Sequence, residues 1–390
     1  MEKATRQQLK DQNRSLVLRT VFAHASISRA DIARLTGLTR TTVSDIVADL
    51  LADDLVREVG TGESMGGKSP ILLSLAEDSR YLIGLDLAHN TFCGAVVTLR
   101  GEIREMVSLP TCDLNADKSL QAVYAILDKL TQSSFRPIVG IGVGTPGLVN
   151  ARSGVVKQAV NLAWRDLPLK DLLETRYNLP VYLHNDCQAA AMGELIYGSG
   201  ARSNQNMVVI RAGHGIGSGI ILNGQLFHGD GGSAGEIGHV VVARDGGLPC
   251  RCGKCGCLET FASTRAVVQR VNLLQDPERE PLHATLESVE QAFHAGDPIA
   301  VQVVLEAGRY LGIAVAGLVA VLNIERVVLV GDMTRFGAPW LAAVREGLSH
   351  SVLTQLAEST SLEIGTLKDN GVILGASALV THDHSLLLRG

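Results

Sequence analysis

No uncharged apolar run in this 390-residue chain exceeds the stretch from Tyr310 to Ile324. That is shorter than the roughly 20 residues a membrane-crossing helix needs, so the stretch reads as a buried helix. The first fifteen residues are polar and charged, without the apolar core of a secretory signal, and the expectation is a cytoplasmic protein. A general excess of positive charge is also missing. Lys and Arg number 35 against 40 Asp and Glu, a net −5, which argues against a uniformly basic protein that coats nucleic acid. The balance is uneven, however: residues 1–40 carry eight basic side chains against three acidic ones, and only that end favours a polyanion. Cysteine is scarce outside one short segment, where only Cys93, Cys112 and Cys187 occur. What is abundant is apolar residues (46%) and glycine (41 residues). That mixture suits an α/β protein with many tight strand–loop–helix turns, and the length suggests two or three domains.

The other four cysteines, Cys250, Cys252, Cys255 and Cys257, fall within eight residues and follow His239 by eleven. Thiolates and an imidazole at this spacing suit a tetrahedral Zn²⁺ site, and Gly253 and Gly256 allow the tight turns that aim several sulfurs at one ion. The alternatives are a disulfide pair or buried apolar cysteines. Disulfides are disfavoured by the absent signal and by the strain of S–S geometry in so short a loop.

The N-terminal segment reads as three helices and a hairpin. Arg14–His24 carries Leu18, Val21 and Phe22 as its apolar face. Ser28 can cap a second helix, with Asp31 three residues on and an inner face of Ile32, Ala33 and Leu35. After the turn Thr36-Gly37-Leu38, Thr39 caps a third helix with Val43, Ile46, Val47 and Leu50 at helical spacing. Tight helix–turn–helix spacing is a DNA-binding arrangement. Arg40, Thr41, Thr42 and Ser44 would face outward, an arginine and short hydroxyls able to reach base edges or phosphates. Leu55–Val59 and Ile71–Leu75, joined by a glycine-rich tip, form a two-stranded wing whose Lys68 can meet phosphate. A helical oligomerisation module is the plainer alternative.

From Arg80 onward, strands alternate with glycines and helices: Tyr81–Leu87, Phe92–Leu99, Ile138–Gly144, Met207–Ile210, Gly219–Leu222 and Arg326–Val330. Periodicity alone gives an α/β class. The block C-x-C-G-x-x-G-C-x-E, preceded by Gly235, Glu236, Gly238 and His239 in G-E-x-G-H, resembles the ROK family of repressors and sugar kinases. The resemblance extends over nearly the whole chain. It implies a winged helix-turn-helix of the repressor branch at residues 1–76, followed at 77–390 by a two-lobed actin-like, ribonuclease-H-like sugar-binding domain. Lobe 1 would span about 77–190 plus the C-terminal end, and lobe 2 about 191–375. It also implies His239, Cys250, Cys252 and Cys257 as ligands of a structural zinc ion, with Cys255 spare.

The segment HNDCQAAAMGE matches the family's N-D-x-x-x-A-A-x-x-E. The resemblance makes Asn185 and Asp186 sugar contacts, with Asp186 at the position of the kinases' general base. Glu236, His239 and Glu259 are the family's further sugar contacts, and Asn161 and Gly147 complete the wall. Asn185 and Asp186 read without the family would simply cap the following helix. The kinases hold ATP phosphates on D-x-G-G-T-K/N, which here reads Asp86-Leu87-Ala88-His89-Asn90-Thr91. Both glycines are replaced, and a backbone cradle for phosphate needs them. A second glycine loop has His214 where threonine is usual, and the late G-G-G is Gly331-Asp332-Met333. The expectation is a sugar-responsive repressor without catalysis, binding operator DNA as a dimer or tetramer; the alternative is an active sugar kinase with a fused DNA-binding domain.

Overall fold

The computed structural model describes residues 6–63, 69–88, 91–111, 115–198, 206–243, 249–274 and 284–382. The N-terminal domain consists of α1 (Arg6–Phe22), β1 (Ile27–Ser28), α2 (Arg29–Thr36), α3 (Arg40–Ala52), β2 (Val56–Thr61) and β3 (Ile71–Leu75), with the three strands in the order β1-β3-β2. The expected caps are present: Ser28 Oγ accepts the Asp31 amide at 3.1 Å, and Thr39 Oγ1 accepts that of Thr42 at 3.1 Å. Gly37 ends α2 in the left-handed region, at φ 71°, which a glycine adopts without strain. Val43, Ile46, Val47 and Leu50 of α3 pack against Leu18 and Val21 of α1 as expected. Two readings need correction. The first helix begins at Arg6 rather than Arg14, because polar residues with no apolar period still propagate a helix. Leu35 is not an inner-face residue but is 55% exposed, since the short α2 turns only Ile32 fully inward.

Lobe 1 follows with β4 (Tyr81–Leu87), β5 (Thr91–Thr98), β6 (Ile103–Pro110), α4 (Ala116–Leu130), β7 (Ile138–Thr145), β8 (Leu148–Asn150), β9 (Val155–Ala159), β10 (Trp164–Leu167), α5 (Leu169–Tyr177), β11 (Val181–Asn185) and α6 (Asp186–Ile196). Its main sheet has the order β11-β7-β4-β5-β6, with β4 parallel to β7 and antiparallel to β5. Successive residues of a strand face opposite ways, and β4 uses both faces. Tyr81, Ile83, Leu85 and Leu87 meet Val123, Ile126 and Leu127 of α4. On the other face, Leu82 joins the core of the N-terminal domain. Gly84 lies under a helix so close that an added Cβ would fall 2.1 Å from the Ile373 carbonyl oxygen, and Asp86 is buried further along. One strand thus touches the N-terminal domain and a packed helix and carries a buried acid.

Lobe 2 comprises β12 (Met207–Ala212), β13 (Ile216–Leu222), β14 (Gln225–Phe227), α7 (Glu259–Ala262), α8 (Thr264–Leu274), α9 (Leu286–His294), α10 (Pro298–Leu322), β15 (Arg326–Val330), α11 (Gly337–Ser349), α12 (Thr354–Ser359) and β16 (Ser361–Ile364), its sheet ordered β14-β13-β12-β15-β16. The chain then returns to lobe 1 as α13 (Gly371–His382), the helix over Gly84. The 25-residue α10 is long and apolar enough to cross a bilayer by length and composition. It buries Val303, Val304, Ala307, Leu311, Val315 and Val319 in the lobe 2 core, as expected for Tyr310–Ile324. Asp297 caps its start, accepting from the Ile299 and Ala300 amides at 3.0 and 2.9 Å.

Candidate functional site

Two strand-like segments build the cysteine cluster. Residues 240–242 run antiparallel to 256–258, with the Leu258 amide on the Val240 carbonyl at 2.8 Å and that of Val242 on Gly256 at 2.9 Å. This pairing sets His239 beside Cys257. A turn closed by the Gly253 amide on the Cys250 carbonyl (3.0 Å) then folds Cys250 and Cys252 back toward them. Gly256 sits at φ 79°, where an added Cβ would lie 1.8 Å from the Ala243 carbonyl oxygen, so no other residue fits.

The donor atoms of His239, Cys250, Cys252 and Cys257 all lie within 4.8 Å of one another. A tetrahedron with Zn–S near 2.3 Å and Zn–N near 2.0 Å has S···S edges of about 3.8 Å and S···N edges of about 3.5 Å. Here Cys252 Sγ and Cys257 Sγ are 3.6 Å apart, and Cys250 Sγ and His239 Nδ1 3.5 Å. The donor set therefore fits a tetrahedral metal ion. Cys255 is exposed and outside this set.

Beside the cluster, Glu236 lies within electrostatic reach of His239, Asp186 and Glu259. Burial raises the Glu236 carboxyl above its usual range; His239 works against the shift, while the nearby charges of Asp186 and Glu259 add to it. Glu259 also lies 3.6 Å from Cys250 Sγ and 3.7 Å from Arg265. The segment holding Glu236 is pinned to β13, where the Ser218 amide and hydroxyl both donate to the Gly235 carbonyl, at 2.8 and 3.1 Å.

Asn185 caps α6, as the plainer reading had it: Oδ1 accepts the Cys187 amide at 2.8 Å, while Nδ2 donates to the Gly147 carbonyl at 3.0 Å. Its side chain thereby ties the Gly147 wall to α6. Asn161 sits in the turn between β9 and β10, and its Oδ1 accepts from Arg251 at 2.6 Å. Arg251 lies between two members of the cysteine cluster, so this contact joins lobe 1 to the knuckle.

Sequence reasoning missed Arg211. It is the penultimate residue of β12 in lobe 2, yet its Nη1 donates to Asp186 Oδ2 at 2.9 Å, at the start of α6. Asp86 and Asp332 also act on its charge. Asp86 is fully enclosed, and burial lifts its carboxyl to about 7; Arg211 opposes the shift, and Asp186 and Asp332 add to it. Its Oδ1 has no hydrogen-bond partner among the described residues. The available signal was one cation closing the apolar strand Met207–Ala212 just before a glycine loop. That loop passes between Asp332 and Glu259: Cβ atoms built on Gly213 and Gly215 would lie 3.5 and 3.2 Å from their carboxylates. A cavity of about 440 Å³ is lined by Asp332 together with Glu290, Gly331, Arg335, Gly365 and Lys368. Ala88 is half-buried at the end of β4, whereas His89 lies outside the described residues.

On α3, Arg40, Thr41 and Ser44 are exposed, while Thr42 is half-buried and its hydroxyl is 2.8 Å from that of Thr39. Lys68 lies outside the described residues.

Comparison with known proteins follows the same division. The sequence pattern of winged helix-turn-helix DNA-binding domains matches residues 10–57, and that of the ROK family matches residues 82–383. A xylose repressor of Caldicellulosiruptor bescii is 32% identical over 96% of both chains. A glucokinase of Halalkalibacterium halodurans is 34% identical but covers 80% of this chain and 98% of its own length, so it leaves out about the length of the winged domain. Among solved structures, a ROK family transcriptional regulator homologous to the E. coli MLC protein superposes with a TM-score of 0.85, at 26% identity, over 97% of this chain and 98% of its own. With a two-lobed α/β body, a winged helix before it and a family match spanning most of its length, the chain belongs to the ROK family.

Proposed function

We propose that this chain is a cytoplasmic, sugar-responsive transcriptional repressor of carbohydrate-utilisation genes. The winged helix binds operator DNA through Arg40, Thr41, Thr42 and Ser44, with Lys68 on the wing, and a two-fold dimer would place two recognition helices on two half-sites. Residues 1–76 and 77–390 are the two working units. A free sugar binds in the cleft against Asp186, Glu236, His239 and Glu259, with Asn185 and Asn161 on its walls. Each buried hydroxyl needs donors and acceptors, which carboxylates, amides and an imidazole supply.

Zinc on His239, Cys250, Cys252 and Cys257 would be structural. Its chemistry there is to hold the knuckle and one ring nitrogen of His239 in place. The remaining nitrogen of His239, together with Glu236 and Glu259, then faces the sugar. To release DNA, the sugar must bind the DNA-incompetent state better than the competent one, about 5- to 150-fold for an ordinary coupling energy.

The observation that separates this from the kinase reading is the Arg211–Asp186 pair. Phosphoryl transfer depends on positioning and charge stabilisation around bound nucleotide, and a general base must be able to take the acceptor proton. Here a guanidinium already engages the carboxylate at the base position, and Ala88 stands where a phosphate-cradling glycine is usual. The test is sugar-dependent ATP turnover by the purified protein, with Asp186→Asn as control. No turnover above that control is expected, whereas turnover lost in the variant would establish a kinase.

A further inference from the structure

One helix runs from the cleft to the turn that holds the DNA-binding domain. Asp186 begins α6 at the cleft, and Tyr197 follows its last residue, with its amide on the Gly193 carbonyl at 2.8 Å. Along its length α6 is packed from both lobes. A Cβ on Gly219 of β13 would lie 2.4 Å from the Ala191 methyl, and one on Gly375 of α13 would lie 1.7 Å from the Ala189 carbonyl oxygen. A helix so closely fitted to two bodies shifts as a unit rather than bending.

Tyr197 then rests on the turn between β5 and β6. Gly101 has φ 84°, and an added Cβ would fall 2.7 Å from the tyrosine ring, so the ring sits where only a glycine permits it. The neighbouring residue of the same turn, Arg100, reaches the other way. Its Nη1 donates to the Phe22 carbonyl at 2.5 Å and its Nη2 to the His24 carbonyl at 2.8 Å, with the guanidinium 5.6 Å from the Phe22 ring centre. These carbonyls lie at and just beyond the C-terminal end of α1, where a helix leaves acceptors unpaired and favours a cation. From there α1 is joined to the recognition helix: Arg14 pairs with Asp53 at the end of α3, Lys10 with Asp49 at 3.7 Å, and Leu18 and Val21 share a core with Val43 and Val47.

We propose that Arg100 is a positioning residue that sets the winged helix against lobe 1 according to the state of the cleft, with Tyr197 as the contact through which α6 moves it. Sugar draws lobe 2 toward lobe 1 and shifts α6. The tyrosine ring displaces the β5–β6 turn, and Arg100 carries the end of α1 with it. This inference rests on the sugar-repressor reading above and names the residues through which that regulation passes.

The test uses the full-length, metal-loaded protein, DNA from upstream of its own gene, and whichever of xylose, glucose or N-acetylglucosamine releases the wild type. Sugar affinity is measured by calorimetry with and without DNA, and the ratio of the two constants is the coupling factor. Wild type should give about 5- to 150-fold. Arg100→Ala should bind sugar with unchanged affinity in the absence of DNA, while its coupling factor falls toward one. Arg100→Lys, which keeps the charge but not the two-pronged donor, should fall between. Tyr197→Ala touches nothing in the DNA-binding domain and should lower the coupling in the same way, so the inference stays testable if Arg100→Ala disturbs DNA binding itself. Wild-type coupling in both alanine variants would overturn it. A wild-type protein that no sugar releases would instead overturn the repressor reading, and this inference with it.

Discussion

The side proposed to hold sugar and the side where a kinase would hold phosphate are built in opposite ways. On the sugar side, Glu236, His239 and Glu259 are held by what lies behind them: the cysteine knuckle, β13 and Arg265. Glu236 lies within electrostatic reach of both His239 and Glu259. On the phosphate side the charges answer one another. Arg211 engages Asp186 and lies in the field of Asp86 and Asp332, so a side chain supplies the positive charge among these carboxylates. The second side carries its counter-charge within the fold. On the proposed reading, sugar recognition and phosphoryl transfer would share Asp186, and Arg211 on β12 is the residue that separates them.

The largest effect should come from removing the support of the sugar side. Cys257→Ser deletes a buried thiolate of the cluster, and metal content by atomic absorption should fall from one equivalent to near zero, with loss of sugar binding. Cys255→Ser should keep both, and a Cys255→Ser protein without metal would show that the ligand set is wrong. Next is Asp186→Asn, which strikes the residue common to both sides. Sugar affinity measured by calorimetry should drop about 10- to 100-fold, as for loss of a hydrogen bond to a charged group. The melting temperature should also fall, because Arg211 loses its charged partner. A variant that binds sugar as well as wild type would remove Asp186 from the site.

Arg40→Ala tests the distant unit to which the cleft is proposed to report. Operator affinity should weaken by about tenfold, and the slope of log affinity against log salt should shrink by about one; an unchanged slope would place phosphate contact elsewhere. The smallest effect is a pH dependence on the phosphate side. Asp86 titrates near 7 in the folded protein against a usual 3.8, so the folded state holds this proton more tightly than the unfolded one. The stability it contributes is present below about pH 4 and lost as pH rises to about 7. Asp86→Asn stays neutral throughout, and its melting temperature should decline less than that of wild type between about pH 5 and pH 8. Parallel curves would mean that Asp86 is ionised in the fold.

How much of this the sequence disclosed depends on range along the chain. The knuckle was readable because its three cysteines and its two glycine turns lie within eight residues, and local spacing alone aims the sulfurs. The caps at Ser28 and Thr39 and the strands Tyr81–Leu87 and Arg326–Val330 were readable for the same reason. Arg211 was not, because its meaning comes from Asp186, 25 residues away and on the other lobe. Arg100 was hidden more deeply: an arginine in a turn between strands looks like an ordinary solvated charge until the fold sets it against the end of α1, 76 to 78 residues earlier. Leu35 failed in the opposite direction. Helical spacing marked it as inward, but the short α2 meets its neighbours over one turn only and leaves that side exposed.

The central claim is that an intact sugar side governs DNA binding without any phosphoryl transfer. Its most direct test is a titration of xylose, glucose, N-acetylglucosamine and their phosphates against the protein bound to its own upstream DNA, with ATP absent. The account predicts that one free sugar releases the DNA. Release that required ATP together with a sugar, or DNA binding indifferent to every member of the panel, would contradict it.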